Sequence, residues 1–143
     1  MNFEIDFSSK IALSFSGLFL LCGMLTGVWK WRKIMASEKH VAPVYVDIAH
    51  RTSFFYSFAC LVIAALVGFT PYGETLRTVF VAVPILFFAL SVAGYIREGA
   101  RDRTDNMFSE KTFVTNGFMY LLTAGEVAGF GAIFAGFLYS AWW

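Results

Sequence analysis

Four long uninterrupted apolar stretches dominate this sequence of 143 residues and leave few choices of fold. They cover residues 11–29, 52–70, 78–96 and 113–141. A helix needs about 20 residues to cross ~30 Å of hydrocarbon, which matches the first three stretches, and the fourth is longer than a span requires. Backbone polar groups must be satisfied internally in lipid, and the apolar residues run continuously instead of alternating as in barrel strands. The sequence therefore predicts an all-α integral membrane protein, a single four-helix bundle.

The distribution of basic residues predicts the orientation of this bundle. Nine of the eleven Lys and Arg residues lie in or beside two connections, one between the first and second helices and one between the third and fourth. Only Lys10 and Arg77 belong to the opposite side. Because short cytoplasmic loops carry an excess of Lys and Arg, we expect both connections to be cytoplasmic and both termini outside. The expected location is a cell inner membrane, which the chain crosses several times.

Composition also argues against a nucleic-acid partner and against a metal site. The formal net charge is only +1, which gives no reason to expect a nucleic-acid partner. His40 and His50 have no His or Cys at metal-ligand spacing, and Cys22 and Cys60 lie in apolar stretches where thiols pack as small hydrophobic groups. No metal site, nucleotide-binding glycine loop or nucleophile elbow is therefore expected.

Glu126 lies near the middle of the fourth apolar stretch, where an ionisable side chain is costly and by default marks a functional site or a buried polar contact. Its helical neighbours include Thr123, Gly129 and Gly136, so it belongs to a face suited to contact with other helices. No Lys or Arg lies at this depth, so Glu126 is expected to be protonated or held by neutral donors. Two roles stay open: a hydrogen bond between helices, or a proton or ligand site.

A second group of candidates gathers at the cytoplasmic ends of the second and third helices. Pro43 can open an extension of the second helix, because proline is tolerated in a first helical turn. Polar side chains from different helices would then share one depth, as a site for an anionic head group requires. Topology alone also demands charged loops there. The candidate ligand-binding residues at this end are Asp47, His50, Arg51, Tyr95, Arg97, Arg101 and Asp105, and Tyr56 of the second helix is a further candidate.

Two glycine pairs, Gly23 with Gly27 and Gly125 with Gly129, permit close helix approach within the bundle or between subunits. No complete catalytic set is visible beside them. We therefore expect a small non-catalytic membrane protein or subunit that forms a homo-oligomer and binds membrane lipid or a partner protein at its basic cytoplasmic face. An alternative is a proton-linked transport component that uses Glu126.

The four spans, the outward termini and the segment Ala49-His50-Arg51 followed by Tyr56 resemble the superfamily of membrane-associated proteins in eicosanoid and glutathione metabolism (MAPEG). The likeness covers most of the chain as topology and a few residues as motif. It implies a trimeric bundle with a cytoplasm-facing cleft between subunits, and a membrane transferase that uses glutathione on a lipophilic substrate. The residues that would meet an anionic ligand there are Arg51, Tyr95, Arg97 and Arg101. Alignment on Tyr56 places Ile48, Thr52 and Phe55 where the family has polar groups for glutathione.

Overall fold

The computed structural model describes residues 5–109 and 111–143, and this part of the chain is helical, without strands. Four helices follow one another: α1 (Phe7–Ala36), α2 (Val44–Val67), α3 (Glu74–Arg101) and α4 (Gly117–Trp142). Each of them is long and apolar enough to cross a membrane. The prediction of an all-α, four-helix membrane protein is confirmed.

The helices extend beyond the apolar stretches at the basic side of the bundle. α1 continues past residue 29 to Ala36 and α3 past residue 96 to Arg101. The added segments contain Lys, Arg, Met and Ala, which favour helices and are at home in the interfacial region. α2 begins at Val44, directly after Pro43, and ends at Val67, three residues before the end of the apolar stretch.

The connection before α4 is a turn instead of a helical first segment. The Thr112 N–H donates to the Thr115 hydroxyl at 2.8 Å, and the Thr115 N–H donates to the Thr112 hydroxyl at 3.2 Å. Threonine side chains that bond to nearby backbone groups compete with helix formation. α4 consequently begins at Gly117, four residues later than the apolar stretch.

α2 and α3 form the middle of the bundle. Each of them contacts the other three helices, whereas α1 and α4 do not contact each other. Apolar side chains from all four helices meet in the core, among them Phe19, Ile63, Ile85 and Ile133. The arrangement is therefore a central pair of helices with α1 and α4 packed on it at separate places.

The buried residues of the outer helices repeat with alternating steps of three and four positions. In α1 the buried residues that follow this pattern are Ser9, Ala12, Ser16, Phe19, Gly23 and Thr26, and Ser8 beside them is also buried. In α4 they are Leu122, Gly129, Ile133 and Gly136. This spacing is typical of left-handed knobs-into-holes packing. Glu126 occupies the position between Leu122 and Gly129 that completes the α4 pattern, so it belongs to the packed face of that helix. Thr123 is exposed instead.

Two serines join α1 to α2 by a pair of reciprocal hydrogen bonds. The Ser16 hydroxyl donates to the Ser57 carbonyl at 3.0 Å, and the Ser57 hydroxyl donates to the Ser16 carbonyl at 2.9 Å. Both bonds are buried. Interhelical hydrogen bonds in membranes stabilise by roughly 0.6 kcal/mol each. Their main effect here is to fix which residues of α1 face which residues of α2.

The four predicted glycine contacts are made within the chain. A Cβ at each position would meet a side chain of a neighbouring helix: Phe54 at Gly23, His50 at Gly27, Phe87 at Gly125 and Pro84 at Gly129. The glycine pairs thus let the helices of one bundle approach closely. An interface between copies of the chain stays a prediction, and it would have to use other surfaces.

Gly129 and Pro84 form a close contact between α4 and α3. A Cβ at position 129 would lie 2.7 Å from Pro84 Cδ and 3.1 Å from the Phe80 carbonyl oxygen. In an uninterrupted helix that carbonyl would accept from the N–H of residue 84, which proline lacks. Pro84 therefore breaks the hydrogen-bond ladder of α3 at the place where Gly129 allows the α4 backbone to come near.

Opposite the basic side, the start of α1 is tied to α3. The Ser8 N–H donates to Glu74 Oε1 at 2.9 Å, so a carboxylate of α3 satisfies one of the free amides in the first turn of α1. The Asp6 carboxylate accepts from the Ser8 hydroxyl and lies 4.0 Å from the Arg77 guanidinium. Partial burial alone would raise the pKa of Asp6, but bonds from Ser8 and Ser9 and the charge of Arg77 outweigh it and lower the pKa.

This contact predicts an acid-sensitive end of the bundle. A folded-state pKa below the ordinary value means that ionised Asp6 stabilises the fold at neutral pH, and that this contribution is lost as pH falls from about 4 through the lowered pKa. Between pH 6 and pH 3 the Tm of the wild type should fall by a few degrees more than that of Asp6→Asn. Thermal unfolding in lipid nanodiscs measures the difference, and equal falls for both proteins would contradict this role of Asp6.

Candidate functional site

The structure divides the candidate residues into three groups. Two of these groups lie at the basic end of the bundle. We define the basic end as the two connections, residues 37–43 and 102–116, together with the helix ends beside them. The first group lies where α1 ends and α2 begins. The second lies where α3 ends and the connection to α4 follows. The third lies inside the bundle, around Glu126. A single site that collects all of them is not observed.

Asp47 is the centre of the first group and holds two cations. Its Oδ1 lies 2.6 Å from Lys30 Nζ of α1, and its Oδ2 lies 2.6 Å from an Arg51 guanidinium nitrogen one helical turn away. Arg51 follows Asp47 by four residues, so the two side chains project from the same face of α2. Because the same carboxylate also binds Lys30, this group clamps α1 to α2 and retains one net positive charge.

His50 also serves the contact between α1 and α2. Its Nδ1 lies 2.9 Å from the Gly23 carbonyl oxygen, which can only accept, so Nδ1 carries the hydrogen. The ring leaves no room for a side chain at position 27, where a Cβ would approach within 2.9 Å of its Cε1. Phe54 packs edge-on against the ring. His50 is thus held between helices and faces away from the second group.

The second group forms an open polar cleft of about 680 Å³, which we call the arginine cleft. Arg97 and Arg101 project from the last turns of α3, and Arg103 follows in the connection. Glu98 lies between the first two, 3.8 Å from Arg97 Nε and 4.0 Å from an Arg101 nitrogen. At these lengths most guanidinium N–H groups keep their donor capacity, and the two side chains are 62% and 45% exposed.

The rest of the arginine cleft consists of short polar residues of the connection. Its lining includes Thr104, Asn106, Ser109, Thr112 and Thr115. The Thr104 hydroxyl accepts from the Asn106 N–H at 3.0 Å, and the Asn106 side chain accepts from the Phe108 N–H at 3.0 Å, which shapes a tight turn.

A tyrosine of α2 anchors this connection to the bundle. The Met107 N–H donates to the Tyr45 hydroxyl, and the Tyr45 ring stacks on Tyr95 at 6.2 Å between centroids. Asp105 is exposed on the connection and does not line the cleft. Among the residues that the structure describes, the arginine cleft therefore presents three guanidiniums against one carboxylate, Glu98, with hydroxyl groups around them.

Glu126 is the centre of the third group, with two candidate tyrosines nearby. Tyr56 stacks on Phe88 at a centroid distance of 4.1 Å. Both Tyr56 and Tyr95 lie close enough to the Glu126 carboxyl to interact with it electrostatically. The three side chains thus lie in the same region of the bundle, on three different helices, and no phenol makes a hydrogen bond to Glu126 Oε1.

Protein-family models, curated proteins and solved structures were compared with this chain. None of them matches it. The MAPEG resemblance therefore stays a prediction, and the chemistry must be argued from this chain's own residues. Across residues 5–109 and 111–143, no group of three His, Cys, Asp or Glu side chains is placed to hold a metal ion.

Two features of these groups were missed in the sequence. Lys30 follows Gly23 by seven residues, a spacing that continues the packed face of α1, so its position opposite α2 could have been predicted from the repeat. Glu98 could have been found from its i,i+3 spacing to Arg101. The hydroxyl groups of the arginine cleft carry no comparable signal, because their positions depend on how residues 102–116 fold back.

Proposed function

We propose that this chain is a non-catalytic membrane protein that binds the anionic head group of a lipid in the arginine cleft, at the cytoplasmic face of a cell inner membrane. The observation that carries the proposal is the convergence of Arg97, Arg101 and Arg103 with hydroxyl side chains on one open cleft. Guanidinium groups bind phosphate through paired, charge-assisted hydrogen bonds, and hydroxyls complete the coordination of the remaining oxygens.

The position of the cleft along the helices supports a lipid as the source of the anion. Arg97 and Arg101 follow directly on the apolar part of α3, so their side chains lie at the depth where phospholipid head groups lie. Phe108 and Val114 beside the cleft are exposed apolar side chains, which suit contact with acyl chains. Basic residues at such a boundary are attracted to anionic lipids by about 1 kcal/mol each.

The orientation is part of the same proposal. The basic end carries most of the Lys and Arg residues, and this bias favours the cytoplasmic side. Homo-oligomerisation is a further part of the proposal. Because the paired glycines are occupied within the bundle, copies of the chain would meet through the exposed faces of α1 and α4.

The MAPEG alternative would place glutathione near Arg51, Tyr95, Arg97 or Arg101. Two observations favour binding of a lipid over binding of glutathione. Arg51 is already paired with Asp47, and the start of α2 supplies few polar groups, with Ile48, Thr52 and Phe55 at the positions concerned. The arginine cleft itself is anion-selective under both readings, so a test must include both ligands.

The test compares two variants that remove the same charge. In Arg97→Ala/Arg101→Ala the cleft loses two guanidiniums, whereas Arg32→Ala/Lys39→Ala removes two cations at the same end but outside the arginine cleft. The full chain in nanodiscs of phosphatidylcholine with one fifth phosphatidylglycerol is analysed by native mass spectrometry for retained anionic lipid.

General attraction to an anionic surface falls equally in both variants, so only specific binding separates them. Charge-assisted hydrogen bonds contribute about 1.5–3 kcal/mol each, so the cleft variant should retain anionic lipid at least about tenfold more weakly than the control variant. Millimolar glutathione should not displace the lipid. Equal losses in the two variants would contradict a specific site, and displacement by glutathione would favour the transferase reading.

A further inference from the structure

Residues of α2, α3 and α4 line an open apolar cavity of about 370 Å³ at the side of the bundle, which we call the Glu126 cavity. Its lining is Ala59, Val62, Ile63, Phe88, Val127, Phe130 and Glu126. Glu126 is the only residue of this lining that can ionise. The volume is at the lower end of the range of small-molecule sites, which is about 300–1,000 Å³.

The Glu126 cavity opens sideways, at the surface that faces lipid. Val62 of α2 is 47% exposed and Val127 of α4 is 67% exposed, so the gap between these two helices is not closed by the bundle. The arginine cleft is lined instead by residues from the end of α3 and from the connection that follows, and the two sites share no residue. A molecule dissolved in the bilayer can therefore reach the cavity without passing the basic end.

One carboxyl oxygen of Glu126 lacks a hydrogen-bond partner in this setting. Its Oε1 is shielded from solvent and has no hydrogen-bond partner in the described part of the chain. The Lys and Arg residues of the chain lie towards the two ends of the helices. A buried carboxyl oxygen without a hydrogen bond costs free energy, so the site favours any occupant that donates one.

No side chain in the described part of the chain makes a hydrogen bond to Glu126 Oε1. The Tyr56 ring stacks on Phe88 and the Tyr95 ring stacks on Tyr45, so both rings are held by other contacts. The terminal torsion of a glutamate is broad, so the carboxyl can turn an oxygen into the cavity without strain. The apolar walls favour an apolar ligand, the opening towards lipid favours one that dissolves in the bilayer, and the carboxyl oxygen favours one with a hydrogen-bond donor.

We infer that the Glu126 cavity is a second binding site, which takes a small lipophilic molecule with an apolar body and one hydrogen-bond donor, a hydroxyl or an amine. The apolar body fills the space against Ile63 and Phe88, and the donor bonds to the Glu126 carboxyl. The inference goes beyond the proposed head-group binding, because it concerns a different ligand, a different depth and different residues.

The experiment uses two probes that differ only in the donor: 4-hexylphenol and hexylbenzene, each with a diazirine at the end of the alkyl chain. The full-length protein in phosphatidylcholine nanodiscs is irradiated with each probe, and labelled residues are mapped by mass spectrometry. The phenol should label segments 59–63 and 126–130 at least fivefold more than the hydrocarbon, and excess unlabelled 4-hexylphenol should suppress that labelling.

Three variants give the inference independent tests. Glu126→Leu should abolish the preference for the phenol, whereas Glu126→Gln should keep most of it, because an amide oxygen still accepts. Ala59→Leu leaves Glu126 intact and fills the cavity, so it should reduce labelling by the phenol and keep the inference testable if Glu126→Leu does not fold. Arg97→Ala/Arg101→Ala should label like the wild type, which separates this site from the arginine cleft.

Several outcomes would overturn the inference. Equal labelling by both probes would show that the carboxyl does not select the donor. A preference that survives Glu126→Leu, or labelling of segments 59–63 and 126–130 that survives Ala59→Leu, would place the ligand elsewhere. Equal losses in the Gln and Leu variants would rule out an acceptor role for the carboxyl.

Discussion

Gly129→Val should destabilise the bundle strongly. A Cβ at this position would lie 2.7 Å from Pro84 Cδ and 3.1 Å from the Phe80 carbonyl oxygen. A proline ring and a backbone oxygen cannot swing aside as the end of a long side chain can, so α4 itself must move away from α3. Overpacking of this kind costs about 1–3 kcal/mol, and valine adds two further methyl groups.

The matched control is Gly131→Val, in the same helix. A Cβ at position 131 has no neighbour within 4 Å, and both substitutions exchange glycine for the same β-branched residue in a helix interior. The free energy of unfolding in mixed micelles should therefore fall for Gly129→Val and stay within about 0.5 kcal/mol of the wild type for Gly131→Val. Similar values for the two variants would mean that α4 does not pack against Pro84.

The second prediction with a large expected effect concerns the orientation of the protein in the membrane, because each introduced cysteine should either react fully or be protected. In a protein with Cys22→Ala and Cys60→Ala, a single cysteine at Ser37 or Ser109 should be protected from an impermeant thiol reagent in intact cells. A cysteine at Gly73, in the connection between α2 and α3, should react. The reason is the excess of Lys and Arg near Ser37 and Ser109, which favours the cytoplasmic side.

Permeabilised cells supply the control for this experiment, because all three single cysteines should then react. Ser109 and Gly73 are exposed, so access to the thiol is not limited by the fold at those two positions. Reaction at Ser37 and Ser109 from outside intact cells, with protection at Gly73, would reverse the proposed orientation. It would also move the arginine cleft to the other face of the membrane.

The fold could be predicted largely because lipid allows so few structures. Continuous apolar stretches identify four helices, and Pro43 identifies where α2 can begin. The helix ends were harder, since hydropathy reports the width of the apolar layer and not the length of the helix. α1 continues to Ala36 through residues that are polar yet favour helices, while Thr112 and Thr115 bond to each other's backbone and delay α4.

For the candidate sites, the sequence predicted which residues lie at a similar depth in the membrane, but not which of them are in contact. Asp47, Arg51 and Arg97 share a membrane level, but rotation about the helix axes decides which of them meet. Asp47 turns towards Lys30 of α1, and Arg97 turns towards the connection that follows α3. Glu126 was recognisable as an exception in an apolar stretch, whereas its cavity depends on side chains from three helices that no local pattern connects.

The absence of contact between α1 and α4 has a consequence for how the chain enters the membrane during synthesis. α1 and α2 emerge first, and their polar groups satisfy one another through Ser16 with Ser57, His50 with Gly23, and Lys30 with Asp47. This hairpin can leave the translocation machinery as a finished unit, in keeping with the two-stage view of helix insertion followed by association. Glu126 enters last, and α2 and α3 are then already present to form the apolar walls around it. The residue most expensive to place in lipid is thus delivered when its surroundings exist.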